Sequence, residues 1–241
     1  MKIVGIIPAR YESSRFPGKP LIDLKGKTMI QRVYEGAKKS TALSEVIVAT
    51  DDQRIFDEVL SFGGKVMMTN QNHTTGTDRC GEIAQKIEAD VIINIQGDEP
   101  LIDFRQIDQL AKVFTNNEVK IATLGIISNL DEAKNPNRIK MVLDKQNNAL
   151  YFSRSAIPNT ANAKENQVNS FDFYRHIGVY AYRKNTLLEI IQLEKTALEQ
   201  IESLEQLRWL YHGYKIQVVQ TSIETPNIDV PEDVEAVMRQ L

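Results

Sequence analysis

Short runs of β-branched residues recur through the first half of the chain at intervals that leave room for one helix between each pair: IVGII from Ile3, VIVAT from Val46, VIINIQ from Val91 and IATLGII from Ile121. Runs this continuously apolar belong to strands covered on both faces, and strands joined through helices run parallel. The intervening segments 29–39, 53–62, 78–87 and 103–114 carry apolar residues three and four apart, as in Ile107, Leu110, Ala111 and Phe114, which predicts helices. The fold class is therefore α/β, a doubly wound and mostly parallel sheet with its ligand cleft at the carboxyl ends of the strands. Beyond this lie a strand RHIGVYAYR from Arg175, a helical pair over 185–213, a strand KIQVVQT from Lys215 and a closing helix from Pro231. The polar stretch 159–169 reads as an exposed, mobile loop. Nothing resembles an interdomain linker, so residues 1–241 are expected to form one domain with a smaller inserted element around 150–185.

Composition narrows the function classes. With 29 basic against 32 acidic side chains the net charge is −3, which gives no general attraction for nucleic acid or an anionic membrane, so any anionic ligand must be held locally. The single cysteine, Cys80, has no partner for a disulfide and no neighbouring ligand set for a metal. The apolar run 3–7 is too short for a signal peptide or a membrane span, and the expected compartment is the cytoplasm.

The first strand runs directly into PARYESSRFPGKP, which sets Arg10, Arg15 and Lys19 on one loop at a strand's carboxyl end. Fixed guanidinium and ammonium groups there suit a triphosphate and the charge that develops on leaving pyrophosphate. The loop is not a Walker loop. Gly26-Lys27-Thr28 ends like one, but Leu21 stands where the earlier glycine is required, and Pro20 stops a helix from following Lys19. Gly26-Lys27 reads as a turn, with Thr28 available to cap the first helix.

Strand VIINIQ ends in Gly97-Asp98-Glu99-Pro100, where Gly97 frees the backbone to turn and Asp98 is either a helix cap or a hard oxygen ligand for magnesium. Asp229 carries the same two readings, a second ligand or a cap before Pro231. Arg154 and the pair Arg175-His176 flank the polar loop, where a planar cation could hold a carboxylate. Asp51-Asp52 reads as a helix cap in preference to a catalytic dyad, Thr77 or Asp78 as the cap of the third helix, and His212 beside Gly213 as a helix C-terminus. His73 sits in a polar turn that loop structure alone explains.

Together PARYESSRFPGKPL, VATDD, HTTGTDR, NIQGDEPLI, NPNRIKMVLD, YFSRSAIP, YRHIGVYAYR, LEQLRWLYHGYKI and DVPEDVEAV, in this order and over nearly the whole chain, resemble the 3-deoxy-manno-octulosonate cytidylyltransferase family. The resemblance implies a Rossmann-like nucleotidyltransferase fold and transfer of CMP from CTP to the sugar acid 3-deoxy-D-manno-octulosonate (KDO), releasing pyrophosphate, for bacterial lipopolysaccharide. It implies that Arg10, Arg15 and Lys19 hold the nucleotide phosphates, and that Thr75, Gly76, Thr77 and Arg79 line the cytidine side. Asp98 and Asp229 would hold magnesium (Mg2+) and, with Lys19, act in catalysis. Gln96, Arg154, His176, Glu205 and Gln206 would form the sugar pocket, with Arg154 pairing the KDO carboxylate. A homodimer joined through the middle element is also implied. The chain departs from the family pattern at Asn159-Thr160-Ala161-Asn162-Ala163, at Asn227 in place of a glycine and at Thr75 in place of a serine. An 8-amino analogue of KDO, another acidic sugar, or nucleotide binding without catalysis are the competing expectations.

Overall fold

The computed structural model describes residues 1–12 and 16–241, and its strands join one nine-stranded sheet. The first half runs β1 (Ile3–Ala9), a 3₁₀ turn (Lys19–Leu21), α1 (Met29–Ala37), β2 (Glu45–Thr50), α2 (Gln53–Ser61), β3 (Val66–Met68), α3 (Gly76–Lys86), β4 (Val91–Asn94) and α4 (Phe104–Val113). There follow β5 (Ile121–Ser128), α5 (Leu130–Lys134), β6 (Lys140–Leu143), β7 (Ala149–Ser153), α6 (Glu165–Asn169) and β8 (Phe173–Arg183). The chain closes with α7 (Lys184–Ile190), α8 (Ala197–Glu202), α9 (Gln206–Tyr211), β9 (Ile216–Gln220) and α10 (Asp233–Met238).

The main strand order is β3-β2-β1-β4-β8-β5-β9. Every neighbouring pair along it is parallel except the two made by β8, which runs antiparallel between β4 and β5. β6 pairs with β8 and carries β7 outward, so the middle of the chain extends the same sheet. Alternate residues of the central strands feed two cores. Ile7, Val48 and Ile93 meet α1, α2 and α4 on one face, while Ile6, Ile47 and Ile92 meet α3, α7 and α9 on the other. Each fully buried Val or Ile contributes about 1.5–3 kcal/mol, enough to hold these short helices against the sheet.

The four early helices fall where the apolar spacing places them, and Thr28 caps α1 by accepting the Gln31 backbone N–H. Three details differ from expectation. Helix α3 begins at Gly76, because Thr75 and Asp78 close a reciprocal capping box and Thr75 is the cap. The helical pair is three short helices, α7 to α9. The stretch expected to be all loop contains α6, one turn with no buried residue.

Candidate active site

A cleft opens at the carboxyl edge of the sheet, lined by Pro8, Ala9 and Arg10 from the end of β1, Lys19 from the following loop, the start of α3, and Gln96, Gly97 and Asp98 after β4. Local sequence builds it. Gly18 adopts φ 73° and starts the 3₁₀ turn that carries Lys19, and its backbone N–H donates to the Tyr11 carbonyl at 2.9 Å. Gly97 has its ordinary backbone conformation, so its role is close approach and not a special turn: a Cβ there would stand 2.8 Å from the Pro8 carbonyl oxygen. Arg10 is exposed at the cleft. Arg79 also lines it but is buried, donating to Asp51 at 2.8 Å and to the Thr69 hydroxyl. Asp51 is thus the counter-charge of Arg79, and Asp52 alone caps α2. His73 borders the cleft and contacts Glu82 at 2.6 Å.

The two distant acidic segments meet here. Lys19 Nζ donates to Asp98 Oδ2 at 2.9 Å and to the Ile228 carbonyl at 2.7 Å, and the Ile228 N–H donates to the Asp98 carbonyl at 2.9 Å. Asp229 is the next residue, and its carboxylate accepts from Asn227 at 3.0 Å. It does not cap α10: the cap position is Glu232, and the Asp233 carboxylate instead accepts the N–H groups of Asp229 and Val230.

A second cavity adjoins the first through Gln96 and Asp98, which line both. Its wall is the lower half of β8, with Arg175, His176 and Tyr180, faced by Glu99, Arg138 and Thr225. β8 bulges opposite Thr123/Leu124. The Thr123 hydroxyl donates to the Val179 carbonyl at 2.8 Å, and the Gln96 amide donates to the Gly178 carbonyl at 3.1 Å. That leaves the Thr123 oxygen to accept from His176 Nε2, 2.9 Å away, so Nδ1 is the free acceptor. Burial pushes the His176 pKa down to about 3, so the imidazole is neutral. Burial, reinforced by the charge on Asp98, raises the Glu99 pKa to about 8. The Tyr180 hydroxyl is buried in the same wall, and burial raises its pKa well above the usual tyrosine value.

The expected site residues separate into groups. Arg10, Lys19, Thr75, Gly76, Arg79, Gln96 and Asp98 line the first cleft, and His176 joins Gln96 and Asp98 in the second. Asp229 lines neither cavity but directly follows Ile228, which bonds Lys19 and Asp98. Thr77 turns away from the cleft and donates to Glu205 at 2.7 Å behind α3, where burial raises the Glu205 pKa. Neither Glu205 nor the buried Gln206 reaches either cavity in this conformation. Arg154 is likewise outside both, its Nε donating to the Glu202 carbonyl at 2.8 Å. Arg15 lies outside the described residues. Sequence reading passed over Glu99, Arg138, Tyr180 and the buried Lys140, whose ammonium donates to the carbonyls of Asn135, Arg138 and Arg154. The NIQGDEP and NPNRIK segments contain or adjoin most of them, which was the available signal.

Fold and cleft define the class, a nucleotidyltransferase, and the family model for cytidylyltransferases matches residues 4–216. The chain is 54% identical to the 3-deoxy-manno-octulosonate cytidylyltransferase of Parabacteroides distasonis, covering 98% of this chain and 96% of the relative. It is 48% identical to that of Fusobacterium nucleatum, covering 100% and 97%. The chain belongs to the 3-deoxy-manno-octulosonate cytidylyltransferase family. A solved structure of CMP:2-keto-3-deoxy-manno-octonic acid synthetase complexed with CTP superposes with a TM-score of 0.94 at 43% identity, over 100% of this chain and 98% of the other. The 4-diphosphocytidyl-2C-methyl-D-erythritol synthase of Anaerococcus prevotii, at 13% identity and a TM-score of 0.65 over 99% and 97% of the two chains, shares the fold.

Proposed function

We propose that this protein transfers CMP from CTP to KDO, releasing pyrophosphate, with CTP in the first cleft and the sugar acid in the second. The observation that carries this assignment is the junction of the two cavities at Gln96 and Asp98, beside Lys19. The anomeric hydroxyl of the acceptor forms a bond to the α-phosphorus, the bond from that phosphorus to the bridging β-phosphate oxygen breaks to release pyrophosphate, and the hydroxyl proton passes to solvent water. Arg10, Arg15 and Lys19 bind the phosphates, and Lys19 stabilises the charge that builds on pyrophosphate. Thr75, Gly76, Thr77 and Arg79 form the cytidine side, with Thr77 acting through its bond to Glu205. His176 and Gln96 orient the acceptor hydroxyls, while Arg154, Glu205 and Gln206 reach it only after movement from their present contacts.

Magnesium held by Asp98 and Asp229 would supply charge neutralisation at the phosphate oxygens. No cluster of three or more His, Cys, Asp or Glu side chains able to hold an ion occurs among the described residues. Two carboxylates with hard oxygens are nonetheless what a magnesium ion takes when phosphates and water complete its octahedron. A homodimer through the middle element agrees with Leu150 and Phe171, which are 61% and 46% exposed. A cytoplasmic role in lipopolysaccharide supply agrees with the soluble substrates, and no helix among the described residues is long and apolar enough to cross a membrane. The deciding experiment offers KDO, its 8-amino analogue and other acidic sugars with CTP and Mg2+ and follows pyrophosphate release. Turnover with KDO is expected; turnover only with another acceptor, or CTP binding with no turnover at all, would overturn the assignment.

A further inference from the structure

Residues 221–232, between β9 and α10, have no helix or strand, yet they form the outer wall of the second cavity and end beside Asp98. Such a strap keeps its shape only through its ties. At its start the Thr221 N–H donates to the Gly125 carbonyl at 2.9 Å, and the buried Gln106 amide donates to the Ile223 carbonyl at 2.9 Å. At its end stand the Ile228 contacts with Asp98 and Lys19. Between them Thr225 reaches Glu99 at a long 3.4 Å, and Arg175 donates to Glu224 at 2.6 Å. The Arg175 bond is the one charged tie in that middle span among the described residues.

Arg175 is well placed to act as a fixed post. It lies on β8 with β5 on one side and β6 on the other, opposite Ile126 and Lys140, and its side chain is 8% exposed. The Glu224 carboxylate is 56% exposed and has no regular backbone to hold it. Among the described residues, the only other carboxylate within ion-pair distance is Glu132, 3.8 Å from Nε, and that Nε is buried with no hydrogen-bond partner. A planar guanidinium on a central strand therefore constrains the strap, and not the reverse.

We propose that Arg175 is a positioning residue: through Glu224 it sets the course of the strap and so holds Ile228 and Asp229 against Lys19 and Asp98. This rests on the reading of Asp98 and Asp229 as the magnesium pair, Asp229 lying five positions after Glu224. The same guanidinium also borders the acceptor cavity, and direct contact with the acceptor's carboxylate is the outcome the test must separate.

The test compares Arg175→Gln, Glu224→Gln and the double variant with the wild type by hydrogen exchange of the ligand-free protein and by steady-state kinetics. Loss of one hydrogen bond to a charged group is worth about tenfold in an equilibrium. Both single variants should exchange the amides of 221–229 about tenfold faster, and both should need about tenfold more magnesium for half-maximal rate. KM for CTP should move less than twofold, and the double variant should be no worse than either single one. Glu224→Gln changes an exposed residue, so it carries the test even if Arg175→Gln folds poorly. Wild-type exchange and wild-type magnesium dependence in Glu224→Gln would overturn the proposal. So would an Arg175→Gln variant that raises KM for the acceptor while leaving strap exchange unchanged. Absence of wild-type turnover with CTP and KDO would instead remove the functional reading, and the exchange result would stand by itself.

Discussion

Lys19→Ala is the sharpest probe of the junction. The ammonium, 13% exposed, bonds both the Asp98 carboxylate and the Ile228 carbonyl. Asp98 is 28% exposed, so water takes over part of what is lost, and the cost to stability is about 1 kcal/mol. For a chain of this length that lowers Tm by about 2–4 °C, and essentially all of the protein stays folded at assay temperature. The effect on turnover should be far larger. Removing one preorganised donor from a site of developing charge typically lowers kcat by about 10²–10³. Pyrophosphate release at saturating CTP, KDO and magnesium should show that loss, with Lys19→Arg recovering only part of it because a planar fork cannot take the place of a compact ammonium between two oxygens. A kcat within threefold of the wild type would refute the reasoning, since Lys19 would then be only a tie between the strap and Asp98.

Three further outcomes are expected. His176 takes up a proton near pH 6.5 when unfolded and near pH 3 when folded, so the stability tied to it is complete above pH 6.5 and is lost as pH falls toward 3. His176→Gln should therefore flatten the Tm against pH curve on the acid side, the wild type losing about 1–2 kcal/mol more than the variant between pH 6.5 and 5; parallel curves would count against a neutral buried imidazole. Asp51→Asn leaves the Arg79 guanidinium with the Thr69 hydroxyl as its remaining partner among the described residues, and should cost about 2–4 kcal/mol, read as a Tm lower by about 5–10 °C and a raised KM for CTP. An unchanged Tm would show that Arg79 finds another counter-charge. Gly97→Ala forces the β4 turn off the Pro8 carbonyl, at a cost of about 1–3 kcal/mol, and should lower kcat by moving Asp98; a stable variant with full activity would mean the close approach is dispensable.

The central layers were legible because burial on both faces of a strand and on one face of a helix leaves a period in the sequence, as in Ile107, Leu110 and Ala111. Caps were legible where the side chain acts on its own turn, as Thr28 does. The direction of β8 was not, because the alternation in RHIGVYAYR is the same whether the strand runs parallel or antiparallel, and only the antiparallel insertion puts Arg175 and His176 at the cleft edge beside Gln96. Asp51 was read as a cap because its partner, Arg79, lies on another helix. Glu99 and Lys140 were passed over for a related reason: a charged residue looks exposed until the carbonyls or the hydroxyl that meet it are known.

An anionic nucleotide is expected beside the adjacent carboxyls of Asp98 and Glu99, and the arrangement of the site reduces that conflict. Burial, reinforced by the neighbouring Asp98, raises the Glu99 pKa to about 8, so Glu99 holds its proton near neutral pH. Lys19 then neutralises Asp98 directly. What the first cleft presents to an anion is Arg10 together with the Lys19–Asp98 ion pair. This explains how a chain with a net charge of −3 can present an anion site without an extended basic surface. It also explains why Lys19 and the strap are coupled: the ammonium that screens Asp98 is the same one that bonds the Ile228 carbonyl, so a displaced strap would weaken screening at the carboxylate where both cavities meet.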